Sequence, residues 1–342
     1  MTVRSNAIRL EKQLRRIFDN HEKYFWEKSD PLVPLKVLNN MDWYEQFGIV
    51  DFLQEVGRHL RMNAMISRQS VKTRLDGSGL SFTEFTYQAM QAYDWLHLFR
   101  KFKCRVQIGG NDQIGNIVTG HDLLSRAENT QVYGLTVPLV TAESGDKYGK
   151  SAGNALWLDP EMTLPFDLHQ FFLRLPDPIA ETFLRLFSFL PQSQVEQLVE
   201  NHLLAPEKRI PHKYLAENVV TLVHGVEGLQ SAQRATEALF QNSAEALCDM
   251  SQDELSCLLR GAPQVSLLLK PGTTILDAAM QAKCFLTERD AHRIITSGGF
   301  YVNQRKVTNP NIVLIEGEHI LPNRMTVARV GKKSHVLIRW AI

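Results

Sequence analysis

One stretch limits the folds open to this chain more than any other. Cys104-Arg-Val-Gln-Ile108 alternates like a β-strand and is stopped by Gly109-Gly110. Asn111-Asp112 then suit the N-cap of a helix running through Leu124, and a buried-strand signal follows at Leu135–Val140. Strand, glycine turn, helix, strand is the rhythm of a parallel α/β sheet, because parallel neighbours need a long crossover between them. Ligands of such sheets gather at the carboxyl ends of the strands. Two glycine-bearing segments fall there: the Gly109-Gly110 turn, and Gly145-Asp-Lys147-Tyr-Gly-Lys150-Ser151. The second sets two lysines three apart with a hydroxyl after them, in a loop that can close on a polyphosphate. Alone it is a weak signal, since two lysines in a turn are more often simply solvated.

The remaining patterns fill in around this unit. Helical periodicity covers Ser5 to Phe25, Val50 to Leu60 and Met65 to Leu75, with a short strand candidate at Lys36–Leu38. Ser81 and Glu84 form a capping-box pattern that opens a long helix to about Phe102. From Pro165 to about Glu254 only helical signals remain, over 166–175, 180–190, 194–202, 211–223 and 225–240. Beyond Ser266 the chain reads as helices at 274–280 and 290–296 followed by strands that end in 336–340. The expected fold class is α/β, a partial Rossmann-like parallel sheet followed by a helical domain and a small α+β domain. The expected divisions are 1–164, 165–257 and 258–342.

Charge separates the last of these from the rest. From Cys257 onward there are twelve Lys/Arg against five Asp/Glu, although the whole chain is only +1. A basic tail on a mildly acidic body suits an anionic partner such as RNA, with ordinary surface charge as the plain alternative. The four cysteines (Cys104, Cys248, Cys257, Cys284) show no C-x-x-C spacing and lie among apolar residues, so they are expected to be reduced core residues with no metal bound. No apolar run reaches membrane-spanning length. Arg4 to Arg16 is a basic helical pattern that makes a poor transit peptide.

On the long capped helix Tyr87, Gln91 and Asp94 stand at i, i+4 and i+7 and therefore share a face. A solvated polar stripe is the bland account of three such residues. Phe85, Met90, Tyr93, Trp95 and Leu96 argue against it by leaving little of the helix polar, and buried carboxylates and amides require partners. A ligand carrying a hydroxyl and an ammonium would supply them.

Thr83-Glu-Phe-Thr-Tyr87-Gln-Ala-Met-Gln91-Ala-Tyr-Asp94, then Val106-Gln-Ile-Gly-Gly110-Asn-Asp112-Gln113-Ile-Gly-Asn116, then the lysine loop, resemble in order and spacing the bacterial-type tyrosyl-tRNA synthetases. Lys147-Tyr-Gly-Lys-Ser-Ala-Gly-Asn-Ala155 and Val313-Leu-Ile-Glu-Gly-Glu-His-Ile320 look most like the mitochondrial branch. The resemblance covers essentially the whole chain. It implies a class I synthetase catalytic domain at 1–164, a helical anticodon-side domain at 165–257 and a C-terminal RNA-binding domain at 258–342.

It also implies residue roles. Tyr87 and Gln91 would hold the α-ammonium of L-tyrosine, Asp94 its phenol, and Gln113 would lie near its carboxylate and ammonium. Gly110 and Asp112 would contact the ribose of ATP, and Leu139 and Val140 the adenine. Lys147, Lys150 and Ser151 would form the mobile loop that stabilises pyrophosphate in the transition state. The C-terminal block, with Arg293-Ile-Ile-Thr-Ser-Gly-Gly-Phe-Tyr-Val-Asn-Gln-Arg-Lys306, resembles a small RNA-binding fold shared with a small-subunit ribosomal protein. Arg289, Arg293, Arg305, Lys306, Lys332 and Lys333 are its expected contacts to tRNA phosphates.

The implied partners are tRNA(Tyr), L-tyrosine, ATP with Mg2+, and a second copy of the chain packed near Gln46 to Arg74. No tightly bound cofactor and no membrane are expected, and the implied place of action is the mitochondrial matrix. One family signature is missing: none of the eleven histidines forms a His-x-Gly-His near an N-terminal strand. The expectation that follows is a sheet short of a strand or two, half an ATP site and poor activation of tyrosine. The alternative is a non-catalytic RNA-binding form of the same protein. A tryptophan-specific relative fits less well, because that type lacks the C-terminal block and the Gly-Gly-x-Asp-Gln pattern.

Overall fold

The computed structural model describes residues 2–77, 79–138, 155–240, 244–331 and 334–341. Its contacts divide the chain into two units, residues 36–155 in one and residues 1–35 with 156–342 in the other. In chain order the principal elements are helix α1 (Thr2–Tyr24), α2 (Phe82–Phe102), strand β1 (Val106–Gly110), α3 (Ile114–Glu128) and β2 (Tyr133–Val137). Then come α4 (Pro165–Leu173), α5 (Asp177–Phe187), α6 (Gln192–Leu204), α7 (Ile210–Phe240) and α8 (Gln252–Leu258). The C-terminal part holds β3 (Gln264–Leu268), α9 (Ile275–Gln281), α10 (Glu288–Thr296), β4 (Phe300–Val302), β5 (Arg305–Val307), β6 (Met325–Val330) and β7 (Ser334–Ala341).

In the 36–155 unit, helix α2 starts where its capping box requires. Ser81 Oγ accepts from the Glu84 amide at 3.2 Å, and the Ser81 amide donates to Glu84 Oε2 at 2.9 Å, so two otherwise orphaned donors are satisfied. Its buried ridge, Ala92, Trp95, Leu96 and Phe99, packs with Ile117, Leu123 and Leu124 of α3. The approach is close enough to require glycine: a Cβ on Gly120 of α3 would lie 2.7 Å from Trp95 Cε3. Trp95 is pinned from its other end, its indole N–H donating to the Cys104 carbonyl at 3.2 Å. Strands β1 and β2 pair in parallel, from Val106 opposite Tyr133 to Gly110 opposite Val137, with α3 as the crossover. This is the strand–turn–helix–strand unit that the glycine turn demanded.

Two local expectations fail here. Asn111 and Asp112 do not cap α3. Residues Asn111–Gln113 take a tight 3₁₀ turn, and the N-cap position falls to Gln113, whose helical backbone (φ −91°, ψ −2°) is not the extended conformation a capping side chain needs. Lys36–Leu38 is not a strand, because among the described residues no neighbouring strand pairs with it, and a strand is defined by its partner.

In the other unit α1 joins the helical section. Arg9 donates to Asp159 Oδ2 from Nε (3.0 Å) and Nη2 (2.6 Å), and Asn20 Nδ2 donates to the Leu222 carbonyl at 3.0 Å. Leu222 lies just before a kink in α7 at Gly225, whose φ of 75° is open to glycine and strained for any side chain. The two separate helices read from the sequence over this stretch correspond to the halves on either side of that kink.

The C-terminal sheet has the order β3-β7-β6-β4-β5, with β3 and β7 parallel and the other pairs antiparallel. Its core gathers Ile275, Ile295, Phe300, Ile338 and Trp340 between the sheet and α9 and α10. Asn303 is buried and fully used: Nδ2 donates to the carbonyls of Glu318 and His319, and Oδ1 accepts from the Val327 amide. All four cysteines are free, but none is fully buried: Cys104, Cys248 and Cys284 are partly exposed, and Cys257 is exposed because the inward side of α8 is taken by Leu255 and, just past its end, Leu259. Burial pushes the Cys284 thiol up to about 12. No described helix is long and apolar enough to cross a membrane.

Candidate active site

The positions of Tyr87, Gln91 and Asp94 follow from the packing of α2. Gln88, Ala92, Trp95 and Phe99 form the ridge turned to the core. Tyr87, Gln91 and Asp94 each precede a ridge residue by one position, which rotates them by about 100° onto the adjoining face. Gln88 itself is structural, with Nε2 donating to the Phe85 carbonyl at 3.2 Å and Oε1 accepting from Thr119 of α3 at 3.4 Å. The ring of Tyr87 is exposed, whereas Gln91 and Asp94 are half-buried.

Asp94 has two donors that sequence reasoning missed. The indole N–H of Trp43 donates to Oδ1 at 2.9 Å, and Asn40 Nδ2 donates to Oδ2 at 3.3 Å. A carboxylate offers about four lone-pair sites, so these two bonds orient the group and leave roughly two sites for a ligand hydroxyl. Trp43 is itself held flat against His97, ring centroids 4.5 Å apart and planes 18° apart. Burial, and then the neighbouring Lys101 cation, lower the His97 pKa, so the stacked ring is the neutral imidazole at neutral pH. Tyr44 donates to the Met90 carbonyl at 2.8 Å, and burial followed by the Asp94 charge raises its pKa, keeping it a neutral donor. The signal for Trp43 and Asn40 was present in Asn39-Asn40-Met41-Asp42-Trp43, a cluster of donors in a short apolar setting, but nothing in the sequence linked it to Asp94.

Gly109 and Gly110 end β1 and pass directly into the turn that starts α3. A Cβ on Gly109 would lie 3.0 Å from Gln113 Cβ and 3.3 Å from Ile117 Cδ1, so a side chain there would press on the residue that the turn presents. Asp112 lies within the turn, and Gln113 Oε1 accepts from Asn116 Nδ2 at 3.0 Å. That bond leaves the Gln113 amide nitrogen to donate. Behind the turn stands the N-terminus of a 15-residue helix, whose first amides and dipole favour a negative group. Leu139, Val140, Lys147, Lys150 and Ser151 lie outside the described residues.

In the C-terminal domain Arg289 and Arg293 stand one turn apart on α10, and both are exposed. Arg293 pairs with Asp290 at 2.9 Å and Arg305 approaches Glu318 at 3.6 Å, so each is partly neutralised. Arg289 and Lys306 make no ion pair among the described residues. Lys332 and Lys333 lie outside the described residues. Arg329, absent from the sequence-based set, stacks its guanidinium 3.8 Å from the centre of the Tyr301 ring, an aromatic–cation surface beside the basic strand β5.

The chain as a whole resembles known proteins. The family described as tRNA synthetases class I (W and Y) matches residues 1–241, and the tyrosine–tRNA ligase SYY-like C-terminal domain matches residues 254–338. The chain is 52% identical to the mitochondrial tyrosine–tRNA ligase of Drosophila melanogaster over 343 residues, 99% of this chain and 74% of that protein. It is 44% identical to the mitochondrial tyrosine–tRNA ligase of Homo sapiens over 339 residues, 99% of this chain and 71% of that protein. Among solved structures, a C-terminally truncated Aspergillus nidulans mitochondrial tyrosyl-tRNA synthetase superposes with a TM-score of 0.59 at 33% identity, over 67% of this chain and 66% of that one.

Proposed function

This chain belongs to the class I tyrosine–tRNA ligases, and on that premise we propose how its residues carry the family's reaction. The carboxylate of L-tyrosine attacks the α-phosphorus of ATP and pyrophosphate leaves. A terminal ribose hydroxyl of tRNA(Tyr) then attacks the carbonyl of tyrosyl-adenylate and AMP leaves. Neither step demands much proton transfer, so positioning and charge stabilisation supply most of the rate.

The observation that carries the reading is the Asp94 carboxylate, oriented by Trp43 and Asn40 and left with acceptor capacity on the face it shares with Tyr87 and Gln91. Asp94 accepts the substrate phenol, Tyr87 and Gln91 take the ammonium, and Gln113 lies near the ammonium and carboxylate. Gly110 and Asp112 contact the ribose, where the absence of a side chain lets the backbone approach. Leu139 and Val140 flank the adenine. Lys147, Lys150 and Ser151 close on the departing pyrophosphate. ATP enters as its Mg2+ complex. The residues 1–164, 165–257 and 258–342 divide the work into catalysis, anticodon-side contact and RNA binding. Arg289, Arg293, Arg305, Lys306, Lys332 and Lys333 meet tRNA phosphates.

The active form is a homodimer paired near Gln46–Arg74. Support for this is the exposure of Ile49, Val50, Leu53 and Met62 in that stretch, at 55–72% of their surface. The relatives' mitochondrial names support action in the mitochondrion, in the matrix where translation occurs. Tyrosine-dependent ATP–pyrophosphate exchange tests the catalytic reading. Exchange well above a tyrosine-free control supports it. Tight tRNA(Tyr) binding with no exchange would instead favour the non-catalytic RNA-binding form.

A further inference from the structure

Three helices of the helical section bring two imidazoles and a carboxylate to one point, and none of the three belongs to the site described above. Asp177 opens α5, His202 lies in the last turn of α6, and His212 lies in the first turn of α7. Each offers a ligand atom, and these atoms all fall within 4.8 Å of one another. His202 Nε2 is 3.4 Å from Asp177 Oδ2 and His212 Nε2 is 3.3 Å from Asp177 Oδ1. Four-coordinate Zn2+ with bonds of about 2.0–2.1 Å has ligand-to-ligand edges of about 3.3–3.4 Å, and here the two imidazoles approach different oxygens of the one carboxylate.

The hydrogen-bond inventory asks for something more at this point. The His212 side chain is fully buried and that of His202 is 8% exposed, while Asp177 is 53% exposed and opens the cluster to solvent. Both nitrogens of His202 and Nδ1 of His212 are buried with no hydrogen-bond partner. Unpartnered buried imidazole nitrogens are costly, and a cation between these side chains would engage His202 Nε2, the unpartnered nitrogen that faces Asp177. His212 Nε2 lies 3.0 Å from the Leu175 carbonyl, but that carbonyl also accepts from Arg209 Nη2 at 2.9 Å. Turning the His212 lone pair to a cation would therefore not orphan Leu175. Arg209 is an opposing charge near the cluster, and its Nη2 is already engaged by the Leu173 and Leu175 carbonyls.

We propose that Asp177, His202 and His212 form a Zn2+ site that ties together the ends of α5, α6 and α7, with a solvent molecule on the open Asp177 side as fourth ligand. Two neutral imidazoles and one carboxylate are the borderline nitrogen and oxygen donors this ion takes. Its role is structural: it fixes the junction of three helices, where the α6–α7 connection passes through the left-handed backbone of Arg209 (φ 49°). This inference does not depend on the ligase reading.

The test uses the full chain without a polyhistidine tag, stripped with a chelator and titrated with Co2+ and then Zn2+. The expected result is one equivalent bound per chain, with the visible bands of four-coordinate Co2+ and no thiolate charge-transfer band. Zn2+ is expected to raise the melting temperature. Asp177→Asn, at the exposed ligand where refolding is least at risk, and His202→Gln should each weaken binding by more than about a hundredfold, the upper range for losing even an outer-shell partner. They should also abolish the Zn2+-dependent rise in melting temperature. Failure of the unmodified chain to bind, a six-coordinate Co2+ spectrum, or binding that survives Asp177→Asn would overturn the proposal.

Discussion

Replacing Trp43 with phenylalanine isolates one atom of the candidate site. The change removes the N–H that donates to Asp94 Oδ1 at 2.9 Å, yet keeps an aromatic ring to stack on His97, now 4.5 Å away. A hydrogen bond to a charged group contributes about 1.5–3 kcal/mol. With Oδ1 released, the carboxylate keeps the longer 3.3 Å bond from the exposed Asn40 as its steering donor. Under the proposed role of Asp94, that loss falls on a substrate whose hydroxyl it receives, and leaves an analogue without the hydroxyl untouched. The tyrosine-over-phenylalanine ratio of kcat/KM should therefore fall by about 10- to 150-fold, since each 1.4 kcal/mol is a factor of ten. The assay is pyrophosphate exchange with each amino acid, or equilibrium binding of each to the same protein. Equal losses for tyrosine and phenylalanine would point to general damage of the pocket. An unchanged ratio would refute the claim that Trp43 aims Asp94 at a phenol.

Three further outcomes follow from other parts of the molecule. Gly120→Ala should destabilise the 36–155 unit, because its Cβ would stand 2.7 Å from a tryptophan that is 1% exposed and pinned by its own hydrogen bond. The overpacking cost is about 1–3 kcal/mol, less about 1 kcal/mol for the helix preference of alanine, and a denaturation midpoint equal to or above that of the parent would contradict it. Burial, followed by the Arg16 cation, depresses the His224 pKa to about 4. The unfolded chain therefore binds more protons between about pH 6.5 and 4, so this contribution is present above that window and is lost as the pH falls through it. The loss should amount to about 3 kcal/mol, with His224→Leu flattening the slope in metal-free buffer; a slope equal to the parent's would rule out His224 as the group. Arg289→Ala should lower the slope of log K against log salt for tRNA binding by about one unit if Arg289 neutralises one phosphate. An unchanged slope between low and moderate salt would remove it from the contact set.

Much of the architecture was legible because its causes are local. Ser81 and Glu84 announced the start of α2 by their spacing, and Gly109-Gly110 announced the end of β1, since both signals act within one turn of chain. The failed cap at Asn111 and Asp112 shows the limit of such signals: the residue types were right, but a 3₁₀ turn moved the helix start past them. Lys36–Leu38 had strand-like residues without a neighbour to pair with, and Cys257 had apolar neighbours in sequence but the outward side of its helix in space.

By itself the sequence determined most of the helix, strand and turn segments, which helix face carries Tyr87, Gln91 and Asp94, and where positive charge accumulates. Those properties depend on dihedral preference, period and composition, all of which are written within a few residues. Only the tertiary structure decided that Trp43 and Asn40 steer Asp94 from more than fifty residues away. It alone grouped α1 with residues 156–342, and it alone brought Asp177, His202 and His212 to one point. Such meetings depend on where packed elements cross, and a crossing is set by the volumes on both faces at once, which no single segment of sequence contains.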